Sequence, residues 1–289
     1  MNHRLNRLFP YVLILGVLIL LVGIIAIPTG LGVIISFFNY TLRPERFFTG
    51  ITNYMKVFRD VLFWNALKNN FIYVFSAVSL ELVTGFWIAV LLSRRFLGQK
   101  LWVSLILAPY TISSVVSVVV WKYMFNTSYG IINYFLSFLG IHSINWLGDP
   151  VFAFISAVII DVWKESPFMT IILYAAMTTV PRELYESAHI DGASFWDCLW
   201  KITLPTIRPA IFVVLIFRTI FVFRTFDIPW ILTRGGPANS TELLAILTYK
   251  YGFVYWDFGR AAAIGVIMLV ITLLFSSVYI KGVQKGGSF

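Results

Sequence analysis

Six long apolar windows, separated by polar segments of very unequal length, set the rhythm of this chain. They are Leu8–Ile27, Asn69–Leu92, Leu101–Trp121, Val151–Val180, Ile207–Phe223 and Ala261–Ile280. A bilayer-spanning helix needs about 20 mostly apolar residues, and each window approaches or exceeds that. The pattern predicts an all-α membrane protein with six transmembrane helices, one transmembrane domain over residues 1–289. Arg4 and Arg7 precede the first window, as they would in a signal peptide. Its apolar run is longer than a typical h-region, and Pro28-Thr29-Gly30 is no A-x-A cleavage site, so it reads as a retained anchor.

Between the fourth and fifth windows runs RELYESAHIDGASFWDCLWKITLP, Arg182 to Pro205. It is too long and too patterned for a connector. Pro181 suits a first helical turn, and Glu183 and Glu186 suit the positive end of a helix dipole. Leu184, Ala188, Ile190 and Ala193 give a partly apolar face. Gly192 interrupts that face as a cap or tight turn would. Phe195, Trp196, Leu199, Trp200 and Ile202 then predict a second short helix, ended by Pro205. An amphipathic helix outside the bilayer needs a membrane interface or a protein groove. Interfacial anchors are rich in Lys and Arg, whereas this first helix is acidic, which favours the groove.

Composition agrees with lipid as the solvent. The chain is 59% hydrophobic and 12% charged, about half the charge of an ordinary soluble domain. Its net charge of +9 lacks the basic stripe with interleaved aromatics that would mark a nucleic-acid binder, and no nucleic-acid partner is expected. With both termini on one side, Lys and Arg are more than twice as dense in segments 1–9, 93–100, 181–208 and 281–289 as in 28–65, 124–150 and 224–260. The positive-inside rule then makes both termini and the 181–205 loop cytoplasmic. The long outer segments either receive a partner or only cap the bundle. The single Cys198 excludes an internal disulfide.

Glu186-Ser187-Ala188, Asp191-Gly192-Ala193 and Ile202-Thr203-Leu204-Pro205 together resemble the EAA loop of ABC-importer permeases, whose pattern is E-A-A-x-x-D-G-A and, further on, I-x-L-P. Ser187 stands where Ala is usual. NALKNNFIY, GIINYFLSFLGI, WKESPF and the stretch from Phe226 to Phe253 resemble the sugar-transporter branch, typified by maltose, trehalose and glycerol-phosphate permeases. The resemblance implies that Glu186, Ser187, Ala188, Asp191, Gly192 and Ala193 form a coupling helix that docks into a cleft on a cytoplasmic ATPase. It further implies a second permease subunit, a dimer of ATP-binding subunits that uses ATP and Mg, an extracytoplasmic sugar-binding protein, a prokaryotic cell membrane, and a disaccharide cargo such as maltose or trehalose. No cofactor is expected in this chain itself.

Charges inside a bilayer are costly and usually functional. Asp161, Lys164, Glu165 and Phe168 in the fourth window are spaced i, i+3, i+4, i+7, which is one helix face. Arg218, Phe221, Val222 and Thr225 repeat the spacing in the fifth. Charged groups suit sugar hydroxyls, and an aromatic ring suits an apolar sugar face. Three readings stay open: the stripes line a substrate path, the charges pair as structural links between helices, or Asp161 and Lys164 lie near the membrane surface, beyond the apolar core. The resemblance implies the first for Asp161, Lys164, Glu165, Phe168, Arg218, Phe221 and Thr225, although the maltose-type permease carries amides where these charges stand. Glu81, a lone acid in the second window, reads as a helix-to-helix hydrogen bond. Ser113, Ser114 and Ser117 read as packing residues, and Arg224 and Asp227 as a local pair near the outer surface.

The chain contains no G-x-x-x-x-G-K-[ST] and no G-x-S-x-G, so no nucleotide-cradling loop or esterase nucleophile is expected. His3, His142 and His189 lie far apart, and no metal site and no catalytic residue is predicted. An ion-gradient-driven transporter using Asp161 or Glu165 as proton carrier is the alternative, but it leaves the amphipathic loop unexplained. A membrane enzyme for lipid-linked sugars would need a clustered loop site.

Overall fold

The structure, a computed structural model, describes residues 14–43, 45–94 and 96–286. His3, Arg4, Arg7, the first part of the predicted first span (Leu8–Leu13) and the last three residues lie outside them. The chain forms two compact units. One contains the described residues up to Phe63 together with Leu247–Leu269; the other contains Trp64–Ile246 and the chain from Val270 onward.

The described part of the first unit opens with α1, Ile14–Ile35, none of whose residues is buried. The helix runs past the end of the apolar window at Ile27 and through Pro28. A wide π turn, Val22–Ala26, precedes it, and Ile27 N–H reaches back to the Val22 carbonyl. That five-residue bond makes room for a residue with no N–H of its own. A small antiparallel hairpin follows, β1 (Phe38–Asn39) and β2 (Phe47–Phe48), then α2, Thr52–Phe58. Asn53 on α2 donates to the carbonyls of Ser36 (2.9 Å) and Phe38 (2.8 Å). The Tyr251 hydroxyl donates to Asp60 in the same unit.

The second unit is organised around α3, Val61–Ser93, and α7, Pro150–Thr178. At 33 and 29 residues they are about 50 and 43 Å long at 1.5 Å per residue, against a hydrocarbon core of about 30 Å. Asp149 caps α7, accepting from Val151 N (2.9 Å) and Phe152 N (3.1 Å), with Pro150 in the first turn. Gly85 sets the approach of α3 to α7: a Cβ there would lie 2.7 Å from the Met169 Cβ and 3.2 Å from the Ser166 carbonyl. Only a residue without a side chain allows this spacing. One turn earlier, on the same face, stands Glu81. Asn65, Asn69 and Asn70 of α3 hold the loop that precedes α12 (Leu244–Tyr249). Asn69 donates to the carbonyls of Asn239 (2.9 Å) and Glu242 (3.2 Å), and Asn70 accepts from Leu244 N and donates to the Phe223 carbonyl, both at 3.2 Å.

The third predicted span is corrected. Leu101–Trp121 is two helices, α4 (Gln99–Thr111) and α5 (Ser114–Met124), bent by 95° at Ile112-Ser113. Both break residues are extended, with ψ of 138°, and Pro109 lies inside the last turn of α4. After α6, Ile131–Phe138, α7 and α8, Arg182–Ile190, comes the second correction. Pro205 does not end the second loop helix. Helix α9, Phe195–Cys198, passes through a π turn, Leu199–Thr203, into α10, Leu204–Phe223. Leu204 N–H bonds the Leu199 carbonyl, the arrangement seen before Pro28. The last helices are α11, Asp227–Thr233, α12, and α13, Phe258–Gly286.

Among the described residues, four helices are long and apolar enough to cross a membrane by length and composition, and the bent α4–α5 pair makes a fifth if it counts as one span. Helix α7 has the length but carries three charged residues at its middle.

Candidate functional site

The charged middle of α7 meets α10 and α3 in one buried cluster. Arg218 donates through Nε to Glu81 Oε2 (2.7 Å) and through Nη2 to Glu81 Oε1 (2.6 Å). Nη2 also reaches Asp161 Oδ1 at 3.2 Å, and Nη1 reaches Glu165 Oε2 at 3.1 Å. The other oxygen of Glu165, Oε1, takes Lys164 Nζ at 2.9 Å. Glu81 is fully buried; Asp161, Lys164 and Arg218 are nearly so. The two-pronged Arg–carboxylate geometry is the strong form of this interaction, and burial keeps water from screening it. The expected helix-to-helix bond of Glu81 is therefore present, with Arg218 as its partner. The Tyr73 hydroxyl lies against the Asp161 carboxyl and also reaches the Ala157 carbonyl at 3.2 Å.

This cluster forms the wall of a cavity of about 430 Å³, within the usual range of about 300–1,000 Å³ for a small-molecule site. Asp161, Lys164, Glu165, Phe168, Arg218, Phe221 and Thr225 all line it. Both i, i+3, i+4, i+7 stripes thus converge on one space. Two of the readings left open by the sequence are compatible here: the same charges pair between helices and face the cavity.

Tyr110, Ser114 and Asp227 also line the cavity, and the sequence did not mark them as site residues. Tyr110 and Ser114 flank the α4–α5 break, which a straight third span conceals. The Tyr110 ring stacks on Phe168, centroids 5.8 Å apart with planes at 24°, and Lys164 Nζ sits 5.6 Å from its centre. Asp227, expected to pair locally with Arg224, opens α11 on the cavity wall. Of the three serines read as packing residues, Ser117 is buried in that manner.

The 181–205 loop forms a second feature. Its turn is closed by Ala193 N to the Ala188 carbonyl (2.8 Å) and Gly192 N to the His189 carbonyl (3.1 Å). This is the Schellman pattern, with Gly192 at φ 80° in the left-handed region that glycine tolerates. Ser194 starts α9 through a capping box with Asp197, a signal present in the sequence as S-F-W-D. Lys201 donates to Asp197 at 2.6 Å and, with Ser194, holds that carboxyl down at about 2. Tyr185 on α8 and Thr203 share a 2.8 Å hydrogen bond that ties the loop's two helices together. Ala188, Asp191, Gly192 and Ala193 line a shallow groove with Asp197 and Lys201. Glu186 and Ser187 face solvent, where the Ser187 hydroxyl bonds the Glu183 carbonyl at 3.0 Å. Ile190, Trp196 and Trp200 are exposed.

Residues 81–280 match the family described as "Binding-protein-dependent transport system inner membrane component". The chain belongs to this family. It is 40% identical over 243 residues to the trehalose/maltose transport system permease protein MalF of Thermococcus litoralis, covering 84% of this chain and 82% of that one. It is 34% identical over 279 residues to the sulfoquinovosyl glycerol transport system permease protein SmoG of Agrobacterium fabrum, covering 96% and 90%. Among solved structures, a chain of a bacterial ABC transporter that imports the acidic polysaccharide alginate has the same fold, with a TM-score of 0.86 at 22% identity over 98% of this chain and 97% of that one. As an ABC permease, the chain is a membrane subunit, and the ATPase activity belongs to a separate subunit.

Proposed function

We propose that this permease is one transmembrane subunit of an ATP-driven, binding-protein-dependent sugar importer and forms half of its translocation pathway. The observation that carries the reading is the convergence of two polar-aromatic stripes, one from α7 and one from α10, on a single cavity also lined by the stacked Tyr110–Phe168 pair. Rings beside clustered hydrogen-bonding groups match the two chemical faces of a sugar. In this reading Asp161, Lys164, Glu165, Phe168, Arg218, Phe221 and Thr225 contact the cargo, and a disaccharide such as maltose or trehalose is the proposed substrate, supported by the trehalose/maltose relative.

The loop 181–205 is the proposed coupling element. Residues Glu186 to Ala193 present a rigid turn with exposed apolar side chains beside it, as a helix seated in a groove on the ATPase would need. The reading includes six spans, with α4–α5 as a broken third and α7 as the fourth, and one permease domain over residues 1–289 with both termini cytoplasmic. A second permease subunit completes the pathway. A dimer of ATP-binding subunits supplies ATP and Mg chemistry, and an extracytoplasmic sugar-binding protein delivers the cargo to the membrane of a prokaryote.

The test is uptake by the complex purified through this chain from native membranes and rebuilt in vesicles. Sugar uptake that needs internal ATP and the binding protein, and survives an uncoupler, supports the importer. Uptake that continues with an inactive ATPase and stops with the uncoupler assigns the chain to the ion-gradient alternative.

A further inference from the structure

We infer that the cavity admits uncharged sugars and rejects anionic ones, with Asp161 and Asp227 as the residues that set this charge selectivity. The inference rests on the sugar-importer reading and deepens it. Three carboxylates, Asp161, Glu165 and Asp227, line the cavity with two cations, Lys164 and Arg218. A fourth carboxylate, Glu81, stands directly behind Arg218.

Both cations are already committed. Arg218 spends Nε, Nη1 and Nη2 on three carboxylates, and Lys164 Nζ lies on Glu165. An incoming uronate or sulfonate would find no uncommitted ammonium or guanidinium among the lining residues. It would have to share a cation whose charge a neighbouring carboxylate already offsets. An uncharged sugar faces the opposite situation. Asp161 lines the cavity with the Arg218 guanidinium on Oδ1 and the Tyr73 hydroxyl against the carboxyl, and a carboxylate can accept more bonds than these two. A sugar hydroxyl can donate a further one, and the Asp227 carboxylate on the same wall accepts a second. The site therefore offers acceptors to hydroxyl groups and no cation free of a carboxylate to anions.

The binding protein also filters cargo, so the test bypasses it. Saturation-transfer NMR on the purified permease–ATPase complex, without binding protein, reads which sugars enter the cavity at millimolar concentration. The probes are maltose and trehalose, each paired with its glucuronic-acid counterpart, together with a panel of amino acids. Transfer to the neutral sugars and little to the uronates is expected. Asp227→Asn, which leaves the Arg218 cluster intact, should raise the uronate-to-neutral ratio by about tenfold, the effect of removing one like charge a few ångströms away. Asp161→Asn should raise it in the same direction. Uronates that bind the native complex as well as neutral sugars, or a ratio unmoved in both variants, would overturn the inference and leave the importer reading in place. Binding of amino acids with no sugar of either charge would overturn the sugar reading itself, and this inference with it.

Discussion

Arg218 grips Glu81 with two hydrogen bonds, 2.7 Å from Nε and 2.6 Å from Nη2, in the interior of the second unit. The pair joins α10 to α3, and the same guanidinium reaches Asp161 and Glu165 on α7. One cation therefore serves three carboxylates on two helices. Such a cluster is costly to create and far more costly to break from one side, because each charge left behind stays buried.

Arg218→Ala should accordingly reduce the amount of assembled complex, with a destabilisation of about 3–5 kcal/mol, the range for removing one partner of a buried ion pair. Glu81→Gln keeps the shape and one acceptor and should cost less. Yield and thermal unfolding of the detergent-solubilised complex measure both. Equal stability of Arg218→Ala and the native protein would remove the cluster's structural role.

Gly85 should behave as part of the same device, although it bears no charge. A Cβ at this position meets the Met169 Cβ at 2.7 Å and the Ser166 carbonyl at 3.2 Å, so Gly85→Val forces α3 away from α7 and carries Glu81 off Arg218. Overpacking of this kind costs about 1–3 kcal/mol. The expected result is lowered stability in Gly85→Val that is not additive with Glu81→Gln, since both act on one contact. A double mutant whose losses simply add would separate the two effects.

How much of this was legible in the sequence follows the range of each interaction. Helical periodicity is local, so the stripes Asp161–Phe168 and Arg218–Thr225 could be read directly, and both face one cavity. The turn at Gly192 is set by its own residues and was equally readable. Pro205 misled, because a π turn ending two residues before it lets the helix continue, as another does before Pro28, and no residue pattern announces that turn. The break at Ile112-Ser113 was hidden inside an apolar window whose composition suits one span. Glu81 showed as an isolated acid because its partner lies 137 positions away. Tyr110 drew no notice for the same reason: its stacking partner, Phe168, lies on another helix.

The loop turn offers a mutation that separates conformation from crowding. Gly192 has φ 80°, and a Cβ added to it would meet no heavy atom within 4 Å. A side chain there clashes with nothing and suffers only backbone strain, about 1–2 kcal/mol for a left-handed residue. Gly192→Val should leave the complex assembled while sugar-stimulated ATP hydrolysis falls. Gly192→Asn should retain more of it, because Asn tolerates the left-handed region. Unchanged stimulation in Gly192→Val would show that this turn does not carry coupling.

The Asp197 carboxyl gives the loop a defined acid response. Hydrogen bonding from Lys201, and then from Ser194, holds its pKa at about 2. A depressed carboxyl contributes stability that is present above its unfolded value and is lost as pH falls through the folded one. The capping box should therefore be constant across physiological pH and titrate only in strong acid. The carboxyl 13C shift of Asp197 should stay that of the ionised form at pH 4, and Lys201→Ala should move the midpoint upward. A midpoint near 4 in the native chain would mean that the Lys201 contact does not persist in solution.

Orientation can be tested with sites chosen for exposure. The native Cys198 is buried, so its silence towards a thiol reagent reports burial, not sidedness. Ile190 in the loop is 86% exposed, and Ser128 lies in an exposed turn between α5 and α6. The charge asymmetry places the first inside the cell and the second outside. An impermeant maleimide should therefore label Ser128→Cys in intact cells, and Ile190→Cys only after the membrane is opened. Labelling of Ile190→Cys in intact cells would put the loop on the outer face, where no ATPase is available to dock against it, and the coupling proposal would fall with it.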